Sequence, residues 1–126
     1  MIQNNEVLIV VPAYNESATI AKVVGEIHEA GFTCVVVDDG SEDDTSKLAE
    51  VAGAIVLTLP FNAGVGGALR CGFRFAIEKQ FKAIIQCDAD GQHHSFHFQD
   101  LINATNKSRA DLVLGSRFLS TKNQLD

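Results

Sequence analysis

Apolar positions along the chain follow two alternating patterns. Residues 7–11, Val-Leu-Ile-Val-Val, form an apolar run too short for a helix and bounded by Pro12, the pattern of a strand buried on both faces. From Ser17 onward Ile20, Val23, Val24 and Ile27 recur at helical spacing until Gly31, which stands where a helix C-cap glycine belongs. The alternation continues with a strand over 33–37, a helix over 43–52 closed by Gly53, a strand over 54–59, and a helix over 66–79 using Leu69, Phe73 and Ile77. A strand over 82–87, a helix over 96–107 built on Phe98, Leu101, Ile102 and Thr105, and a strand over 111–114 complete the order βαβαβαβαβ. Strands that are apolar throughout predict a mainly parallel sheet with helices on both faces, a three-layer α/β/α sandwich.

In such sheets ligands bind beyond the carboxyl ends of the strands. That rule selects five segments: 12–16, 38–45, 60–67, 88–94 and 115–118. Composition fits a single domain over residues 1–119 with a polar tail over 120–126, since 46% of the 126 residues are apolar, enough for one core. The net charge of −6 supplies no basic footprint, so nucleic acid is not an expected partner. Cys34, Cys71 and Cys87 are odd in number, lack C-x-x-C spacing and lie in apolar stretches, which points to a reducing setting. No apolar run reaches the length of a membrane span, and the first residues lack signal-peptide regions, so a cytoplasmic chain is expected.

The segment Cys87-Asp88-Ala89-Asp90-Gly91-Gln92-His93 carries two carboxylates at spacing i, i+2, which an extended backbone points to one face. Two such carboxylates repel unless a cation sits beside them, and an oxygen donor set favours Mg²⁺ or Mn²⁺ completed by water and phosphate oxygens. The structural alternative is an acidic turn bonded to its own amides. Neither an EF-hand register, which would put Gln86 and His97 at its end positions, nor a His-Glu-x-x-His zinc site is present.

The second acidic segment, Asp38-Asp39-Gly40-Ser41, leaves Ser41 or Asp43 to cap the next helix. One of Asp38 and Asp39 should then point into the strand-end crevice, where a ligand hydroxyl or base N–H would satisfy it. After the first strand, Pro12-Ala13-Tyr14-Asn15-Glu16 contains no glycine, which excludes the G-x-G-x-x-G fold of NAD and FAD domains. Tyr14 is placed to stack at the crevice, while Asn15 or Ser17 can cap the following helix. The glycine-rich 62–67 segment lacks a P-loop ending, so helix entry with close packing explains it as well as phosphate binding does. Arg117 supplies one planar cation that could pair with a diphosphate.

Taken in order, V-P-A-Y-N-E, V-D-D-G-S-x-D-x-T, N-x-G-x-G-G-A, D-A-D-G-Q-H and G-S-R-F resemble the donor-binding half of the family 2 glycosyltransferases, and most of all the polyprenyl- or dolichyl-phosphate sugar synthases. The resemblance implies the GT-A, Rossmann-like fold of nucleotide-diphospho-sugar transferases. It implies an inverting, metal-dependent transfer of sugar from a UDP- or GDP-sugar to an acceptor, either a lipid phosphate or a saccharide, in cell-envelope glycan or glycolipid synthesis. By similarity Pro12, Ala13, Tyr14 and Glu16 border base and ribose, and Val37 and Asp39 contact the base. Asp88, Ala89 and Asp90 form the metal and ribose-diphosphate site, with Asp88 and Asp90 the catalytic pair, Gln92 a further metal ligand and Arg117 on the phosphates.

The chain departs from the family where His94-Ser95-Phe96 replaces the usual proline-containing stretch. It also stops after G-S-R-F, so a truncated donor half is expected, with the usual catalytic base lying beyond it. Peripheral attachment at the cytoplasmic face of a membrane follows from a lipid acceptor, and an exposed sheet edge could be covered by a second copy. Three other readings compete with transfer. A non-catalytic nucleotide-sugar-binding fragment would bind donor without turnover. A receiver domain would need acids after strand one and Lys after strand five, where Pro12-Ala13-Tyr14 and Arg117 stand; a D-x-D phosphatase would want Thr or Val at Gln92.

Overall fold

The computed structural model describes residues 3–90. After a 3-10 turn at Asn4–Glu6, strands β1 (Val7–Ala13), β2 (Thr33–Asp38), β3 (Ile55–Thr58) and β4 (Ala83–Gln86) alternate with helices α1 (Ile20–Glu29), α2 (Thr45–Val51) and α3 (Gly64–Glu78). The expected helix over 96–107, the strand over 111–114 and the domain boundary at 119 lie outside the described residues.

The four strands are parallel in the order β3-β2-β1-β4. β1 is central, and the run 7–11 is fully buried because its alternate residues feed two cores. Val7, Ile9 and Val11 pack with Ile20, Val23, Val24 and Ile27 of α1 and Ala49 of α2. Leu8 and Val10 pack with Val35, Val37, Ala68 and Ala76 on the α3 side. Each such aliphatic side chain contributes roughly 1.5–3 kcal/mol by leaving water, which is why an apolar run without alternation becomes the middle strand.

From β1 the chain steps to β2 and β3 on one side, and then returns to lay β4 on the other side of β1. Right-handed crossovers therefore put α1 and α2 on one face and α3 on the opposite face, as the two cores record. The reversal makes the gap between the carboxyl ends of β1 and β4 a topological switch point, where open parallel sheets hold ligands.

Four elements differ from the sequence expectation. The buried stripe of α3 is Ala68, Gly72 and Ala76, not Leu69, Phe73 and Ile77; Ile77 is exposed and Leu69 only partly buried. The helix turns its small residues inward because it lies close to β1: a Cβ on Gly72 would stand 2.5 Å from Val10 Cγ1. β3 is shorter than expected and half exposed, because among the described strands it forms an edge of the sheet. α1 and α2 begin at Ile20 and Thr45, later than the apolar pattern suggests, because the residues before them are held in turns described below.

Candidate functional site

The carboxyl ends of β1 and β4 diverge around a crevice of about 180 Å³. It is lined by Pro12 and Glu16 from β1 and the loop after it, by Val65 of α3, and by Gln86, Asp88, Ala89 and Asp90 at the end of β4. A neighbouring hollow of about 150 Å³ shares Pro12, Glu16 and Val65 and adds Ala13, Tyr14 and Asp39. The shared residues make the two hollows adjoining halves of one groove.

β4 ends at Gln86, and the chain turns at Ala89 and Asp90. The two carboxylates therefore share the crevice through a turn, not through the alternation of an extended strand. Ala89 fixes that turn twice: its side chain sits in the α1 core, and its carbonyl accepts a 2.6 Å hydrogen bond from Thr19 Oγ1. Glu16 Oε2 lies 3.4 Å from the same hydroxyl. Asp88 is half-buried and Asp90 exposed.

The side chains around the crevice offer hard oxygen donors, the set that suits Mg²⁺ or Mn²⁺. Among the described residues no cluster of three or more ligating side chains exists. Asp88 and Asp90 thus fit an ion held by one or two carboxylates and completed by ligand phosphates. Cys87 packs in the α1 core, and burial, reinforced by Cys34 and Asp88, holds its thiol far above the usual range. Burial likewise pushes Cys34 up to about 12.

The acidic end of β2 is built differently. Asp38 and Asp39 are 2% and 5% exposed, and both are bonded within the protein. Asp38 Oδ1 accepts from Ser41 N at 2.8 Å, and its Oδ2 accepts from the Ser46 hydroxyl. Asp39 Oδ1 accepts from Ala63 N at 2.7 Å and Oδ2 from Gly64 N at 2.9 Å, so this carboxylate anchors the start of α3. Gly40 has φ +79°, and a Cβ there would meet the Phe61 carbonyl carbon at 2.8 Å. Only glycine lets the 61–62 backbone pass so close.

The same segment holds the loop after β1. Asn15 N donates to Ser41 Oγ at 2.8 Å, and Asn15 Oδ1 accepts from Glu42 N at 2.9 Å. Glu16 N donates to Thr45 Oγ1 at 2.9 Å and Ser17 N to Asp43 Oδ2 at 3.2 Å. The expected caps are thus redistributed: Asp43 accepts from Thr45 N, but Ser41 and Asn15 serve the loop-to-loop contact. Hydrogen bonds from Thr45 first, and from Ser17, hold the Asp43 carboxyl down at about 2.

The groove brings together Pro12, Ala13, Tyr14, Glu16, Asp39, Asp88, Ala89 and Asp90 of the residues singled out in the sequence. It does not bring in Val37, which is fully buried in the core beneath α3. Gln92 and Arg117 lie outside the described residues. Thr19 and Gln86 were not legible as site residues. A hydroxyl before a helix reads as a cap, and Gln86 sits inside an apolar strand pattern.

The family model for Glycosyl transferase family 2 matches residues 8–125, and the chain belongs to that family. It is 32% identical over 120 residues to polyprenol monophosphomannose synthase of Mycolicibacterium smegmatis, covering 89% of this chain and 45% of the relative. It is 35% identical over 118 residues to undecaprenyl-phosphate mannosyltransferase of Micrococcus luteus, covering 88% and 48%. The chain spans about half the length of these curated relatives. Glucosyl-3-phosphoglycerate synthase from Mycobacterium tuberculosis, solved with Mn²⁺, UDP and glucosyl-3-phosphoglycerate, superimposes with a TM-score of 0.65 and 28% identity, over 77% of this chain and 38% of that one. The fold is the GT-A sandwich that the motifs implied. Among the described residues no helix is long and apolar enough to cross a membrane.

Proposed function

We propose that this chain is the donor-binding portion of an inverting glycosyltransferase that moves a sugar from a UDP- or GDP-sugar to a polyprenyl phosphate. The observation that carries the reading is the convergence of Asp88 and Asp90 with Glu16 and Tyr14 on one groove at the switch point of the sheet. Relatives named for polyprenyl-phosphate mannosylation support the acceptor class, and a solved neighbour holding Mn²⁺ and UDP supports the donor class.

In this reading Asp88 and Asp90 hold Mg²⁺ or Mn²⁺, which when bound supplies Lewis-acid stabilisation to the departing diphosphate. Tyr14, 43% exposed on the groove, packs against the nucleoside. Pro12, Ala13, Glu16 and Asp39 shape the half of the groove that takes base and ribose. Arg117 and Gln92 complete the phosphate and metal contacts. An acceptor phosphate oxygen attacks the anomeric carbon as the bond to the nucleoside diphosphate breaks on the opposite side. Because the acceptor is already an anion, it needs little general-base help. The reaction takes place at the cytoplasmic face of a membrane, where such an acceptor resides.

The test is a thermal-shift panel of the chain with UDP or GDP and Mn²⁺, Mg²⁺ or EDTA. A nucleotide at about 100 times its Kd should add roughly 2.7 kcal/mol of stability, and EDTA should remove it. Absence of any shift would overturn the reading.

A further inference from the structure

Gln86 ends β4 at the floor of the crevice. It follows Ile84 by two positions and so faces the α3 side of the sheet, where Ile84 packs. It is only 8% exposed, yet among the described residues its carboxamide has no hydrogen-bond partner. The other buried polar side chains, Asp38, Asp39 and Thr45, are all bonded to the protein. A buried amide left unpaired is costly, and native structures keep such groups rarely and with reason. The surroundings supply one. The other polar side chains lining the crevice, those of Glu16, Asp88 and Asp90, are carboxylates and only accept. Gln86 alone among the described crevice side chains offers N–H donors to an acceptor oxygen.

We infer that the Gln86 carboxamide binds the donor nucleotide directly, donating from its side-chain nitrogen to a phosphate or ribose oxygen seated beside Asp88 and Asp90. The inference rests on the nucleotide-sugar reading above. It makes Gln86 a donor-binding residue, with a role separate from holding a metal ion: the carboxylates carry the charge, and the amide fixes where the oxygens lie.

The experiment is titration calorimetry of the full chain and of Gln86→Met and Gln86→Glu, with Mn²⁺ and whichever of UDP or GDP the wild-type chain binds. Unliganded Tm is measured in parallel. Gln86→Met keeps the side-chain length and removes both donor and acceptor. Its unliganded Tm should not fall below that of the wild type, while its Kd rises about tenfold, or about 1.4 kcal/mol. Gln86→Glu keeps the shape, replaces the donor with a further negative charge, and should bind more weakly still. Titration with the matching nucleoside monophosphate locates the contact: a loss seen only with the diphosphate assigns it to the second phosphate, and an equal loss with both assigns it to ribose or the first phosphate. Unchanged nucleotide affinity in both variants, with binding intact in the wild type, overturns the inference and leaves the donor-site reading standing. A lowered Tm with unchanged affinity does the same and makes Gln86 structural. No nucleotide binding by the wild-type chain overturns both.

Discussion

The chain leaves β2 through Asp38 and Asp39 and leaves β4 through Asp88 and Asp90, two carboxylate pairs at the ends of the strands that flank β1, with opposite surroundings. The β2 pair is buried, and its four oxygens accept from Ser41, Ser46, Ala63 and Gly64 of the protein itself. The β4 pair lines an open crevice, and the carbonyl of Ala89 between them ties its turn to Thr19. A buried carboxylate must find donors within the fold. One that lines a crevice is also open to whatever enters it. The difference separates a pair enclosed by the fold from a pair that lines an opening, although both read as paired acids after an apolar strand.

Mutation at each end should break this comparison in opposite ways. The largest effect on the fold is expected for Asp39→Ala, which orphans the amides of Ala63 and Gly64 and should cost about 2–4 kcal/mol of unfolding free energy, read by urea denaturation. Asp90→Asn, at an exposed position, should leave the chain folded while abolishing the nucleotide- and Mn²⁺-dependent stabilisation of roughly 2.7 kcal/mol. A collapse of the Asp90→Asn fold would erase the distinction between the two ends. Gly72→Ala separates stability from binding by another route. Its Cβ would collide with Val10, costing about 1–3 kcal/mol, yet nucleotide affinity measured well below its Tm should match the wild type.

The smallest effect belongs to Asp43. Its folded-state carboxyl sits at about 2, below the ordinary 3.8. Its contribution is therefore fully present above pH 4 and is lost as the pH falls toward 2. The Tm difference between wild type and Asp43→Asn should shrink over that window, and a constant difference would contradict the assignment.

Much of the scaffold was legible from residue patterns. The apolar run 7–11 announced the central strand, and the stops before Gly31 and Gly53 announced two helix ends. The face of α3 was not, because large apolar residues at helical spacing outweigh Ala68, Gly72 and Ala76 in a pattern, while close approach to β1 selects the small ones. The D-A-D segment stood out because acids follow a buried strand, and the structure places Asp88, Ala89 and Asp90 on the crevice. The work of Asp38 and Asp39 was hidden: their partners Ala63 and Gly64 lie more than twenty positions away, and backbone amides carry no sequence signature. Gln86 was hidden for a related reason, since one polar residue ending an apolar strand reads as the strand's edge.

The four hydrogen bonds between residues 15–17 and 41–45 have a thermodynamic consequence for the groove. Freezing a loose backbone costs on the order of 1–2 kcal/mol per residue at the moment of binding. The loop that carries Glu16 is already tied to the turn opposite, so that part of the ordering entropy is lost during folding and is not lost again when a ligand enters the groove.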